Sequence, residues 1–200
     1  MYNFIVRVVR GIYRLFNGKI TSVNRDKLPD DDTFVLIAPH HYWLDPVIYI
    51  VDGFPKRYTS IAKEELREYK ILNWLIDKLE ITTVNRDRPG PSVIKEPVKM
   101  LKEKNRNVLI FPSGSRTNTD LKEGAVTIAR LSKKQMIPAV FVGPTTLKEV
   151  FTRKRTYVLY GDPIEVPRDR NETINVMAKI EKTFSEMEAE LTHIVDNQDK

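Results

Sequence analysis

The sequence predicts an α/β fold, a mainly parallel mixed sheet flanked by helices. Three observations predict it: short β-branched runs recur along the chain, segments of helical pattern alternate with them, and 200 residues with 41% hydrophobic content suffice to close one core. A basic amphipathic helix is expected first, over 1–17. Strands are expected at 33–37, 58–61, 81–84, 107–111, 138–142 and 156–160, each rich in Val, Ile, Thr, Phe or Tyr. Helices are expected at 92–104, 122–134 and 172–195. Pro89-Gly90-Pro91 and Gly161-Asp162-Pro163 read as loops within one domain, not as boundaries. The chain is therefore expected to be a single domain over 1–200, with an α/β core over 20–195 and a polar tail, 196–200, that frays.

Composition narrows the chemistry. The chain has no cysteine, which excludes disulfides, thiolate metal sites, iron–sulfur clusters and cysteine nucleophiles. A formal charge of +6 and a pI near 9.4 favour an anionic partner: nucleic acid, an anionic membrane or a phosphorylated small molecule. The N-terminal segment bears on that choice. Its bulky apolar residues are interrupted by Arg7, Arg10 and Arg14, which fall within about 60° of one another at about 100° per residue. The run is too short and too charged to span a bilayer, which takes about 20 mostly apolar residues, and its arginines are unlike a signal peptide. Phe4, Ile5, Arg7, Val8, Arg10, Ile12, Arg14 and Phe16 are the candidate contacts to an anionic membrane interface. A core helix with one solvated face fits the same pattern.

Ligands of open α/β sheets collect beyond the carboxyl ends of the strands. Three polar clusters are expected there: His40-His41, Asn85-Arg86-Asp87-Arg88 and Ser113-Gly114-Ser115-Arg116. A histidine can take a proton at neutral pH, and an acid close by can hold its ring in one tautomer and stabilise the imidazolium. His40 and Asp45, with four residues between them, could form such a pair, or could both cap the helix that Asp45-Pro46 begins. Arg116 could clamp a phosphate while Gly114 lets backbone approach it, or the segment could be a tight turn. Arg86 and Arg88 could equally be a solvated loop. His41 is expected to be a neighbour of the site, and His193 to lie on the surface of the terminal helix.

Taken together these blocks resemble a family. His40 and Asp45 with Trp43-Leu44-Asp45-Pro46, then Ala62-Lys63-Glu64-Glu65-Leu66, Val84-Asn85-Arg86, Phe111-Pro112-Ser113-Gly114-Ser115-Arg116-Thr117 and Ile137-Pro138-Ala139 resemble, in order and spacing, the successive blocks of the glycerolipid acyltransferases. The resemblance covers roughly residues 35 to 145, and chain length and the short basic N-terminus are similar to the bacterial 1-acyl-sn-glycerol-3-phosphate acyltransferases. There are two departures. Ser113 stands where the family usually has glutamate, as in plant-type glycerol-3-phosphate acyltransferases, and Pro39-His40-His41-Tyr42 stands where Asn-His-x-Ser is usual.

The resemblance implies transfer of a fatty acyl group from acyl-CoA or acyl-carrier protein to the free hydroxyl of lysophosphatidic acid, giving phosphatidic acid. His40 would be the general base and Asp45 its orienting acid. Arg86, Ser113, Gly114, Arg116 and Lys63 would hold the phosphate. The acceptor alcohol is itself the nucleophile, so no acyl-enzyme, metal or cofactor is needed beyond the acyl donor, and the oxyanion donor is not identified. A peripheral, monotopic protein on the cytoplasmic side of the cell membrane is expected, with no nucleic-acid partner. Acylation of glycerol 3-phosphate or of a non-phosphorylated lysolipid is the alternative within enzymes. A non-catalytic membrane- or nucleic-acid-binding module is the alternative outside them.

Overall fold

The computed structural model describes residues 1–85, 88, 90–114 and 121–198. Seven strands form one sheet in the order β1-β7-β6-β2-β5-β3-β4. They are β1 (Ile20–Val23), β2 (Val35–Ile37), β3 (Tyr58–Lys63), β4 (Thr82–Val84), β5 (Asn107–Ile110), β6 (Met136–Val142) and β7 (Thr156–Tyr160). β4, β3, β5, β2 and β6 run parallel, β7 is antiparallel to β6, and β1 is parallel to β7. The sheet is thus mostly parallel with a reversed pair at one edge. Its helices are α1 (Tyr2–Phe16), α2 (Asp45–Gly53), α3 (Lys70–Leu79), α4 (Ser92–Glu103), α5 (Gly124–Ser132), α6 (Leu147–Val150) and α7 (Thr173–Gln198).

The central strands read as continuous apolar runs because helices cover both sheet faces. Val35, Ile37, Val108, Ile110, Met136, Val140, Tyr157 and Leu159 pack with α5 and α7 on one face. Their alternates Leu36, Leu109, Ile137, Ala139, Val158 and Tyr160 pack with Tyr13 of α1, Ile48 and Tyr49 of α2 and Val150 of α6 on the other. Every β-branched run named from the sequence lies in the sheet, β7 with the expected ends and the others with one or both ends shifted. β1 was not expected, because Ile20-Thr21-Ser22-Val23 is an edge strand, half-buried and without a clear apolar pattern.

α1 belongs to this core as well as facing outward. The Tyr2 hydroxyl accepts a 2.8 Å bond from the Tyr58 amide, and its ring lies between Arg57 and Arg106. At the other end the Tyr13 hydroxyl bonds Thr156 Oγ1 at 2.6 Å, and the Asn17 amide donates to Tyr13, Thr156 and the Lys154 carbonyl. Ile5, expected on the membrane-facing side, is instead buried at 7% exposure, because it shares the packed flank with Tyr2, Val6 and Tyr13. Phe4, Val8, Ile12 and Leu15, at i, i+4, i+8 and i+11, form the stripe left exposed.

Candidate active site

The carboxyl edge of the parallel strands gathers most of the expected residues. β2 and β5 pair in register, Ile37 opposite Ile110, and the Ala38 amide continues the ladder to the Ile110 carbonyl at 3.2 Å. The chain leaves β2 through Pro39 and β5 through Phe111 side by side. His40 therefore stacks on Phe111, with ring centroids 4.2 Å apart and planes 22° from parallel.

Asp45 opens α2 but does not cap it. Its Oδ2 turns back to accept three bonds: from His40 Nδ1 at 2.9 Å, from the His41 amide at 2.8 Å and from the Tyr42 amide at 3.0 Å. The helix-capping alternative for the pair is not what forms. A carboxylate only accepts, so Nδ1 carries the proton and Nε2 is left as the basic nitrogen of a ring whose side chain is 14% exposed. Among the described residues Nε2 has no hydrogen-bond partner. Asp45 is fully buried beneath the ring that it holds. The far end of α2 is fixed too: Asp52 accepts from Ser22 Oγ at 2.6 Å and the Tyr160 hydroxyl at 2.7 Å, while Arg25 donates to its carbonyl. Burial beside Asp52 pushes the Tyr160 hydroxyl well above its ordinary value. α2 is thus held at both ends, which leaves Asp45 little freedom.

Beyond Phe111 the chain turns tightly. The Gly114 amide bonds the Phe111 carbonyl at 2.9 Å, Gly114 adopts φ +70°, and Ser113 is buried. The left-handed backbone at Gly114 is the conformation that only glycine takes without strain. A side chain there would also meet Lys122, whose Nζ would lie 3.4 Å from a Cβ at Gly114. The Lys122 amide, in turn, bonds the Pro112 carbonyl at 2.8 Å. Lys122 was missed in the sequence as a site residue. One signal was available: a lysine just ahead of a helix start opposes the helix dipole, so helix stability does not explain it.

Lys63 ends β3 on the same edge, but its ammonium pairs with Glu65 at 2.7 Å. Arg86 and Arg116 lie outside the described residues. Arg88 is exposed. His41 takes no part in the Asp45 pair except through its amide; its ring reaches Glu188 of α7 at 3.1 Å, and that carboxylate raises its pKa above 6.5. His193 is exposed on α7 beside Asn197. On α1, Arg7 and Arg10 lie over the Phe54 ring at 5.8 and 5.7 Å, and Arg14 is exposed. Among the described residues, no group of three or more His, Asp and Glu side chains could hold a metal ion, and no helix is long and apolar enough to cross a membrane.

The arrangement can take a proton from a hydroxyl beside His40 and hold an anion at the neighbouring turn. The acyltransferase family model matches residues 19–142. A 1-acyl-sn-glycerol-3-phosphate acyltransferase of Streptococcus pneumoniae is 34% identical over 194 residues, 94% of this chain and 74% of its own. Its namesake in Bacillus subtilis is 38% identical over 166 residues, 82% of each chain. The crystal structure of the 1-acyl-sn-glycerophosphate (LPA) acyltransferase PlsC from Thermotoga maritima superposes with a TM-score of 0.71 at 20% identity, covering 93% of this chain and 80% of that one, and shares its fold. A family match over more than half the sequence, joined to relatives this similar over most of their length, places the chain in the acyltransferase family, as an enzyme.

Proposed function

We propose that the enzyme transfers a fatty acyl group from a thioester, acyl-CoA or acyl-carrier protein, to the free hydroxyl of 1-acyl-sn-glycerol 3-phosphate, forming phosphatidic acid for phospholipid synthesis. The observation that carries this reading is the 2.9 Å bond between His40 Nδ1 and the buried Asp45, one strand away from the Ser113–Gly114 turn and Lys122. His40 Nε2 takes the proton as the acceptor oxygen attacks the thioester carbonyl, and Asp45 stabilises the imidazolium. The new ester C–O bond forms, the C–S bond breaks, and the proton passes from His40 to the departing thiolate. Lys122 and the backbone of Ser113 and Gly114 bind the phosphate, completed by Arg86 and Arg116. Lys63 is an outer contact, since Glu65 already holds its charge.

The acceptor is a membrane lipid, so the enzyme works as a peripheral protein on the cytoplasmic leaflet. The exposed stripe of Phe4, Val8, Ile12 and Leu15, with Phe16 and the charge of Arg14, supports that. The test is a side-by-side assay of purified protein with lysophosphatidic acid, glycerol 3-phosphate and a non-phosphorylated lysolipid, each with acyl-CoA and with acyl-carrier protein, repeated with Ser113→Glu. Lysophosphatidic acid is expected to give the highest kcat/KM by about tenfold or more. A preference for glycerol 3-phosphate would reassign the acceptor.

A further inference from the structure

α6 and the turn after it are unexplained by the chemistry above. Leu147 and Phe151, at i and i+4, are 55% and 61% exposed, while Val150 between them packs into the same core cluster as Tyr13 of α1. The Phe151 ring meets Phe16 edge to face, with centroids 4.8 Å apart, so the exposed stripe of α1 runs on without interruption into α6. The adjoining chain carries Lys148, Arg153, Lys154 and Arg155 against the single carboxylate of Glu149; Lys154 pairs with that carboxylate and Arg155 donates to the Gln198 carbonyl, which leaves Lys148 and Arg153 as the flanking charges. That carboxylate accepts from the Thr145 amide at 2.8 Å and pairs with Lys154 at 3.2 Å, which hold its pKa low. Arg153 occupies left-handed backbone, φ 56°, where glycine or asparagine is the usual choice. The surface is therefore apolar at its centre and basic at its rim.

Its place in the fold gives it meaning. α6 follows the carboxyl end of β6, the strand beside β2, so it stands on the same edge of the sheet from which His40 opens. We propose that Leu147 and Phe151, with Lys148 and Arg153, form a second bilayer-contacting element that continues the α1 stripe and sets the carboxyl edge, and with it His40, against an anionic membrane. The proposal depends on the membrane reading of α1. It adds a contact from a segment more than a hundred residues away and fixes which edge faces the lipid. An α1 stripe alone would let the molecule roll about one helix axis; a second contact fixes the tilt, so that a lysolipid headgroup reaches His40 without leaving the leaflet.

Vesicle flotation of the full chain tests this, using phosphatidylcholine alone and phosphatidylcholine with phosphatidylglycerol. Leu147→Ser/Phe151→Ser should lower partitioning to both vesicles about tenfold, and Lys148→Ser/Arg153→Ser should lower it about fivefold per charge on the anionic vesicles only. Ile174→Ser is the control, an apolar residue at the head of α7 that is more exposed still, at 74%, and should change nothing. Because the chain has no cysteine, Leu147→Cys and Ile174→Cys can each carry a single polarity-sensitive fluorophore. A blue shift on vesicle binding is expected at 147 and not at 174. Phe4→Ser/Ile12→Ser separates the two ideas: loss of binding in that variant, together with unchanged binding of Leu147→Ser/Phe151→Ser and no fluorescence shift at 147, overturns the α6 contact and leaves the α1 reading standing. Failure of the unmodified protein to float overturns both. Unchanged flotation of the Leu147/Phe151 variant with weakened turnover of acyl-carrier protein alone, or with loss of a concentration-dependent dimer, makes the surface a protein-docking site and overturns the lipid assignment.

Discussion

Asp45 does two jobs through one oxygen, and substitutions separate them. Asp45→Ala removes the acceptor for the His41 and Tyr42 amides as well as for His40, and should cost about 2–3 kcal/mol in urea unfolding. Asp45→Asn keeps an acceptor but not the charge, so it should unfold close to the parent while kcat falls about a hundredfold or more. Wild-type kcat in the asparagine variant would show that the charge is not used. Lys122 gives a different signature. Lys122→Met should raise KM for lysophosphatidic acid about tenfold with kcat little changed, and Lys122→Arg should restore much of it. A kcat defect with unchanged KM would place the lysine elsewhere in the reaction. The His40–Asp45 pairing was legible in the sequence because the two residues lie within one loop and one helix start. Lys122 was not, because its approach to Gly114 depends on how the chain returns from 121 to the head of α5.

Among elements, α7 is tied to the loop that carries His40 by His41 and Glu188, both about half exposed. Glu188 raises the His41 pKa above 6.5, so the contact stabilises the fold fully below pH about 6.5, while carboxylates remain ionised, and is lost as pH rises through the raised value. Solvent screening holds it to less than about 1 kcal/mol. Thermal melts of Glu188→Gln should therefore lie below the parent near pH 6 and coincide with it at pH 9; a constant gap would mean the helix is held otherwise. α1 calls for a similar separation. Tyr2, Tyr13 and Asn17 pin it to β3 and β7, so deleting 1–16 would damage the core along with any membrane contact. Substitutions in the exposed stripe leave those anchors intact and are the cleaner test. The amphipathic pattern announced both a packed and an exposed flank, but could not assign Ile5 to the first, because where the boundary between them falls is set by tertiary packing, not by the helical period. The strands β5, β6 and β7 were legible as dense β-branched runs buried on both faces, whereas α6 is a single turn with no periodicity to read.

At the scale of the whole molecule, the parallel strands present their carboxyl ends on one edge, and the His40–Asp45 pair, the Ser113–Gly114 turn and the end of α1 meet there. The net charge of +6 adds long-range attraction to that geometry. Vesicle binding should accordingly weaken as salt rises from tens to hundreds of millimolar on anionic membranes and respond little on neutral ones; equal salt dependence on both would remove the electrostatic part of the account. The order of the sequence blocks conveyed this convergence better than any single block, since adjacency of β2 and β5 is what turns separated motifs into one site. The most direct measurement is phosphatidic acid formed by the purified enzyme from lysophosphatidic acid and an acyl thioester, compared with His40→Ala under the same conditions. Steady product formation by the parent, with at least about a hundredfold loss in the variant and lysophosphatidic acid binding retained, is the expected result; turnover by His40→Ala at the parent's rate would contradict it.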